Sequence, residues 1–246
     1  MNHKTVLVEK LPWDSRFFGF NIARLNSPIL TRSLVDSAFE FCQDHQIRSL
    51  YYRAATNDSR SVELAEKYGF HFANFRVTYG FDFDLGHTFP QIPKNPFIFR
   101  ASKPSDLAQL QAISKNLFLD SRYYYDPNFP RRLCDKLYST WIRKLAGKSK
   151  KNQGVAVLSD GKKIAGYIGY EFADGTVNLV LVGVSRHYQG RGVGKILLGQ
   201  FLKKMFKDGF SKFEVVTQGR NIASQRLYQS GGFKIFETHM DYHRWF

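Results

Sequence analysis

Taken as a string of apolar and polar positions, the chain switches repeatedly between period-two and helical spacing. Thr5 to Val8 alternates as a strand, and Asn21 to Leu25 reads as a short second one. Between them lies an aromatic, turn-rich stretch, Leu11 to Phe20. From Thr31 to His45, the residues Leu34, Ala38, Phe41 and Cys42 fall on one helical face. Ser49 to Ala54 predicts a strand. Ser59 is placed to cap a helix that turns Val62, Ala65 and Tyr68 inward and ends at Gly69. Val77, Tyr79, Phe81 and Phe83 then alternate as a strand. From Leu85 to Pro96 the pattern breaks, with Gly86, Pro90, Pro93 and Pro96 marking a linker. The expected organisation is a small α/β domain over residues 1–84, a linker over 85–96 and a larger domain over 97–246.

The larger part opens with a strand, Phe97 to Arg100, and a helix capped near Ser105. Asp120 to Pro130 is too aromatic for a linker and too broken for an element. Its residues Tyr123, Tyr124 and Tyr125, which join flat faces to hydroxyl tips, suit a lid over a substrate. A packed surface loop accounts for the same residues. A helix follows from Arg132 to Leu145, with Leu133, Leu137, Trp141 and Leu145 in register. Three strands joined by hairpin signals come next: Val155 to Leu158, Ile164 to Phe172 and Val177 to Val184, with Asp160-Gly161 and Asp174-Gly175 at the turns. Phe213 to Thr217 is a buried strand, Asn221 to Gln229 a helix, and Phe233 to Trp245 a long last strand. The two parts share a fragment: Leu64 to Phe70 matches Leu227 to Phe233, with Ala65 standing where Tyr228 stands. The first part thus reads as a worn copy of the second.

Composition narrows the class. The chain has 246 residues, 43% hydrophobic and 16% aromatic, enough for a substantial core. Two cysteines, Cys42 and Cys134, provide neither a disulfide framework nor a metal set, which suits a reducing cytoplasm. No apolar run approaches the roughly 18 residues of a membrane span. The net charge of +15 is large. Its one dense cluster, Lys144, Lys148, Lys150 and Lys151, lies at a polar loop rather than on a face interleaved with aromatics. The surplus is therefore read as a basic face serving solubility and an anionic ligand, not a nucleic acid.

The stretch that carries chemistry runs from Val182 to Lys195: an apolar strand end, then Gln189-Gly190-Arg191-Gly192-Val193-Gly194-Lys195, then a helix bearing Ile196, Leu197, Phe201, Leu202 and Met205 on one side. A strand, a glycine turn and a helix N-terminus in this order make an anion site, because the first N–H groups of a helix lack partners and its dipole is positive there. The spacing does not fit a P-loop, since Ile196 follows Gly194-Lys195 where a hydroxyl is needed. Nor does it fit a dinucleotide fold, because the three glycines alternate.

The Val-x-Val strand end with this loop and helix resembles the pyrophosphate-binding motif of the GNAT acyl-coenzyme A N-acyltransferases. Asn221 at a helix start with Tyr228 seven residues on resembles that family's other signature, and seven positions on a helix bring both side chains to one face. The resemblance implies an α/β fold with a mixed β-sheet flanked by helices, the first part being a degenerate half of it. It implies acetyl-CoA as cosubstrate and no metal. Val182, Gly183, Val184, Gln189, Gly190, Arg191, Gly192, Val193, Gly194, Lys195 and Asn221 would bind the coenzyme. Tyr228 would be the general acid to the departing thiolate. Glu171, Asp174 and His187 are candidates, by position, to take the amine proton. Trp13 to Gly19, Ser121-Arg122-Tyr123 and Trp141-Ile142 are similar to the dTDP-fucosamine acetyltransferase family, whose acceptor is the 4-amino group of a dTDP-linked amino-deoxy sugar for surface polysaccharide. The Gln189 to Lys195 loop is closer to the broad family pattern. The expected partners are acetyl-CoA and an amine acceptor, and a homodimer is compatible with the reading. Alternative acceptors are a protein, peptide, polyamine or antibiotic amine; the polycationic ones fit poorly with a basic chain. A module that binds acyl-coenzyme A or nucleic acid without turnover is the other alternative.

Overall fold

In the computed structural model, which describes residues 7–115, 117–147 and 152–246, the strands of both parts merge into one ten-stranded sheet. The first part contributes β1 (Val8–Lys10), α1 (Pro12–Phe18), β2 (Ile22–Leu25), α2 (Arg32–Asp44), β3 (Ser49–Ala55), α3 (Ser59–Lys67) and β4 (His71–Asp82). The second contributes β5 (Ile98–Ala101), α4 (Leu107–Ser114), α5 (Arg122–Tyr125), α6 (Arg131–Ala146), β6 (Gln153–Ser159), β7 (Ile164–Ala173), β8 (Thr176–Val184), α7 (Val193–Lys207), β9 (Lys212–Gln218), α8 (Ile222–Ser230) and β10 (Lys234–Trp245). Of the expected first strand, Thr5 and Val6 lie outside the described residues, as do Lys148, Lys150 and Lys151 of the basic cluster.

Three local differences from the sequence reading have physical causes. Leu11 to Phe20 contains a helix rather than only turns: Pro12 starts α1 with its fixed φ, and Gly19 closes it at φ 82°. The helix at 59–67 is capped by Asp58, which accepts from the Ser61 N–H at 3.3 Å, and not by Ser59. Arg122–Tyr125 forms one helical turn within the aromatic stretch.

The strand order is β1-β2-β3-β10-β4-β9-β8-β7-β6-β5. The last strand of the chain, β10, is therefore flanked by β3 and β4 of the first part. Strand β4 in turn pairs on its other edge with β9 of the second part. Each part ends in a helix and a long strand, and each long strand pairs with a strand of the other part. Pairing along the whole of β10 also explains why β4 begins at His71 rather than Val77: His71↔His243 is its first rung. The segment between Gly86 and Phe97 carries no helix or strand. It crosses α7, where Gly199 lies so close to Ile92 that an added Cβ would stand 2.6 Å from it.

Apolar side chains cover both faces. On one face α7 and α8 bury Leu197, Phe201, Leu202 and Tyr228 against β4, β8 and β9, while α2 and α3 bury Val35, Ala38 and Ala65 against β2 and β3. On the other face α1, α4 and α6 share a cluster that joins Phe18, Ile22 and Tyr51 to Leu137, Ile142 and Tyr167. That shared cluster ties the two parts together.

Strand β8 is irregular at the place that matters. Its register against β7 slips between Gly169 and Tyr170, leaving Val180 as the extra residue of a bulge. Val180 and Leu181 then turn toward α6, and Val182 and Val184 rejoin the α7 side with Leu179. Pairing of β8 with β9 stops at the Leu179↔Val215 rung. Beyond it β8 continues to Val184 and β9 to Gln218, so two parallel strands separate into a wedge.

Candidate active site

A cavity of about 530 Å³ lies at that wedge. Val180, Leu181 and Val182 line it from β8, and Val216, Thr217 and Gln218 from β9. Phe118, Tyr138, Trp141 and Lys144 close it from the α6 side. The first part supplies Trp13, Asp14, Arg24, Arg53, Asn74 and Arg76, and β10 supplies Asp241. Both parts therefore build the wall.

At the far end of β8 the chain enters the glycine loop. A single 3₁₀ turn, Arg186–Tyr188, is anchored by the buried Tyr188, whose hydroxyl donates to the Asp160 carboxylate at 2.5 Å. That bond holds the Asp160 pKa at about 2. Gly190 and Gly192 take φ of 74° and 76°, with open space where a side chain would stand. Gly192 is the N-cap of α7 and offers no side chain to its N–H groups. The Ile196 N–H is the one that bonds back to the Gly192 carbonyl, at 3.1 Å. The N–H groups of Val193, Gly194 and Lys195 precede it and have no acceptor inside the helix. Gly190, Arg191, Gly192 and Lys195 are exposed, Val193 is buried, and Gln189 donates to the Val184 carbonyl at 3.0 Å. An open helix N-terminus, two left-handed glycines and two basic side chains fit a diphosphate.

Helix α8 brings two expected residues to the cavity. Asn221 caps the helix, its side-chain oxygen accepting from the Ser224 N–H at 3.0 Å, and it also lines the cavity. Tyr228 lines the cavity from a buried position, its ring 5.8 Å from that of Tyr79. Burial pushes its pKa above the usual phenol value; the Ser224 side chain opposes this and nearby Tyr79 adds to it. The phenol is thus protonated at neutral pH and able to donate.

The other expected residues divide. Tyr123 lines the cavity, donating to Asp14 at 3.3 Å and accepting from Arg122 at 3.2 Å. Tyr124 and Tyr125 do not join it. Tyr124 donates to Asp135 at 2.9 Å, and Tyr125 is 57% exposed beneath the Arg220 guanidinium. Glu171 lines the cavity, whereas Asp174 sits at the β7–β8 turn and His187 in the 3₁₀ turn, both away from the lining. Val182 lines it as well; Gly183 and Val184 continue β8 toward the loop. Cys42 and Cys134 are buried elsewhere, with thiols pushed up to about 12 and about 11, burial being the main cause in each.

Sequence reasoning missed a row of charges. Asp241 on β10 stands opposite Arg53 on β3 and Asn74 on β4. It accepts from Arg53 at 2.9 Å and from Asn74 at 3.1 Å. Burial pushes the Asp241 carboxyl up, but Arg122 and Arg53 outweigh it and hold the pKa at about 2. The available signal was Arg53 inside the expected strand Ser49 to Ala54, a residue that strand interiors rarely tolerate without a reason; Arg76 lay one residue before the strand expected from Val77.

Residues 116–233 match the model of the Acetyltransferase (GNAT) family. Spore coat polysaccharide biosynthesis protein SpsD of Bacillus subtilis (strain 168) is 24% identical over 144 residues. That match covers 58% of this chain and 49% of SpsD, so it spans about half of the relative's length. A GCN5-related N-acetyltransferase from Sphaerobacter thermophilus superposes with a TM-score of 0.68 at 16% identity, over 97% of this chain and 76% of that one. A tandem GNAT protein from the clavulanic acid biosynthesis pathway gives 0.63 at 13% identity, over 91% and 75%. These likenesses establish the fold as an α/β mixed sheet flanked by helices. With the wedge in β8, the open α7 N-terminus and the family match agreeing, this chain carries a GNAT-family acetyltransferase domain over residues 116–233.

Proposed function

We propose that this protein transfers an acetyl group from acetyl-CoA to the 4-amino group of a dTDP-linked amino-deoxy sugar destined for a surface polysaccharide. The observation that carries the acetyl-CoA reading is the continuity of β8: one run from Val180 to Lys195 forms the bulge, the cavity wall and the open glycine loop. In this reading Gln189 to Lys195 hold the coenzyme's diphosphate. Backbone groups of Val182, Gly183 and Val184, freed where β8 leaves β9, together with Asn221, take the pantetheine arm. Residues 97–246 form the catalytic domain, and residues 1–84, a partial copy joined through 85–96, form the acceptor side. The setting is cytoplasmic; no helix among the described residues is long and apolar enough to cross a membrane.

The chemistry needs no covalent enzyme intermediate. Glu171 takes the proton of the amine as its nitrogen bonds to the thioester carbonyl carbon. Backbone N–H groups at the wedge stabilise the oxyanion that forms. As the carbon–sulfur bond breaks, Tyr228 gives its proton to the leaving thiolate. The sugar acceptor is supported by the surplus of arginine in the cavity and by the SpsD likeness. Calorimetry with acetyl-CoA and then dTDP tests the reading. Binding of both is expected; coenzyme without dTDP would discard the sugar, and no coenzyme binding would overturn the whole.

A further inference from the structure

The cavity is not evenly charged. Arg24, Arg53, Arg76, Arg122 and Lys144 face only Asp14, Glu171 and Asp241 in its wall, an excess of two positive charges. Counting Arg122, which lies over Tyr51 of β3, the half built by the first part and β10 holds four arginines against Asp14 and Asp241, while Lys144 and Glu171 offset each other. Asp241 engages Arg53 directly, and Asn74 completes the rung. Arg76 follows Asn74 by two residues on β4, hence on the same face of the sheet, and sits opposite Gln218 of β9, another lining residue. Among the described residues no carboxylate lies within ion-pair distance of Arg76 or Arg122. Arg122 instead lies over the ring of Tyr51, 4.2 Å from its centre.

Two further observations say that this half is incomplete by itself. The Asn74 side chain is only 4% exposed, and its oxygen Oδ1 is buried with no hydrogen-bond partner. That oxygen only accepts, so it is left for an N–H or O–H of whatever enters the cavity, such as a sugar hydroxyl, and not for a phosphate oxygen. Arg76 carries the strain of the uneven charge: burial first, and then the neighbouring Arg53, bring its pKa down to about 10. An anion seated beside it would offset the repulsion from Arg53 and favour the charged guanidinium. Guanidinium groups pair with phosphate oxygens through two parallel N–H bonds, which a lysine cannot do. A nucleotide diphosphate matches the surplus in sign and roughly in size.

We propose that Arg53, Arg76 and Arg122, arrayed around the Asp241–Asn74 rung, form the subsite that seats the diphosphate of the acceptor. This rests on the acetyltransferase reading above and assigns its acceptor to the first part of the chain, apart from the α7 loop that takes the coenzyme's own diphosphate. Two anion sites at opposite ends of one wedge then hold two diphosphate-bearing substrates with their reactive ends meeting near Tyr228.

The test is calorimetric titration of dTDP and, separately, of acetyl-CoA into the wild type, Arg76→Gln and Gly192→Glu. Among the described residues Arg76 makes no ion pair, and an unchanged circular dichroism spectrum and acetyl-CoA affinity check that its replacement leaves the fold intact. Arg76→Gln is expected to weaken dTDP at least tenfold while acetyl-CoA is unaffected; Gly192→Glu is expected to do the reverse. The reverse pattern for dTDP, lost in Gly192→Glu and kept in Arg76→Gln, would put it in the coenzyme loop and overturn the subsite. Equal dTDP binding by all three proteins, or none by the wild type, would also overturn it. Loss of acetyl-CoA binding by the wild type instead removes the underlying reading, since the dTDP titration reports on the arginines by itself.

Discussion

The two parts of the molecule use one local unit for different ends. In the first part α3 runs into β4; in the second α8 runs into β10, and each helix has nine residues and each strand twelve. Both helices are capped by a short polar side chain, Asp58 or Asn221, that accepts from the N–H three residues on. Both end with a glycine at positive φ, Gly69 or Gly232, followed by a phenylalanine. The Phe70 N–H bonds to the Ala65 carbonyl at 2.9 Å, and the Phe233 N–H to the Tyr228 carbonyl at 3.0 Å. The position that holds a fully buried methyl in one unit holds a cavity-lining phenol in the other. A second contrast lies one step earlier. Helix α2, in the first part, is closed by the Thr31 hydroxyl, which accepts from the Leu34 N–H at 3.2 Å. Helix α7 begins at Gly192 with nothing to close it. Shared backbone geometry thus makes a scaffold; chemistry depends on which helix end stays open and which side chain reaches the cavity.

That comparison can be broken from either side. The largest effect is expected at Tyr228: Tyr228→Phe should lower kcat by about 10²–10⁴-fold with acetyl-CoA binding retained. Because its pKa is raised, wild-type activity should show no alkaline loss from this phenol below the ordinary tyrosine range, which a pH–rate profile checks. Gly192→Glu comes next. A carboxylate and a strained φ at the open end of α7 should weaken acetyl-CoA by more than about 100-fold in calorimetry. Retained affinity would mean that the open N-terminus is not the anion site.

The charged rung sharpens the comparison through acid stability. The folded pKa of Asp241 lies below its unfolded value, so its contribution is present above roughly pH 4 and lost as pH falls toward about 2. On the order of 2 kcal/mol should disappear across that window. Urea unfolding at pH 6 and pH 2.5 should show a flatter pH dependence in Asp241→Asn than in the wild type. The smallest effect belongs to the closed helix. Thr31→Ala should cost about 1 kcal/mol of stability and leave acetyl-CoA affinity unchanged. An effect on affinity would show that α2 and α7 differ less than their caps suggest.

Much of the site was legible because it is local. Three glycines between a strand and a helix, and an Asn and a Tyr seven residues apart, have meaning within one or two turns of chain. Of the three tyrosines expected over the substrate, one lines the cavity, for a local reason that went unused. Arg122–Tyr125 is helical, so successive side chains swing by about 100°, and of the three tyrosines Tyr123 alone lines the cavity, beside Arg122. Helix α1 was hidden by its aromatic composition, although Pro12 and Gly19 bracket it.

Local pattern by itself determined most of the elements, α1 excepted, together with the glycine turn before α7 and the common face of Asn221 and Tyr228, because hydrogen bonding and side-chain periodicity within a segment suffice for these. Only the tertiary structure decided where β10 goes and therefore which charges meet. Arg53 and Asp241 are 188 residues apart in the chain. Nothing near either residue specifies a partner, and a one-residue slip of β10 would turn Asp241 to the opposite face of the sheet. Register across the exchanged strands, set by burial of both faces at once, assembled the arginine row and gave the first part of the chain its place in the site.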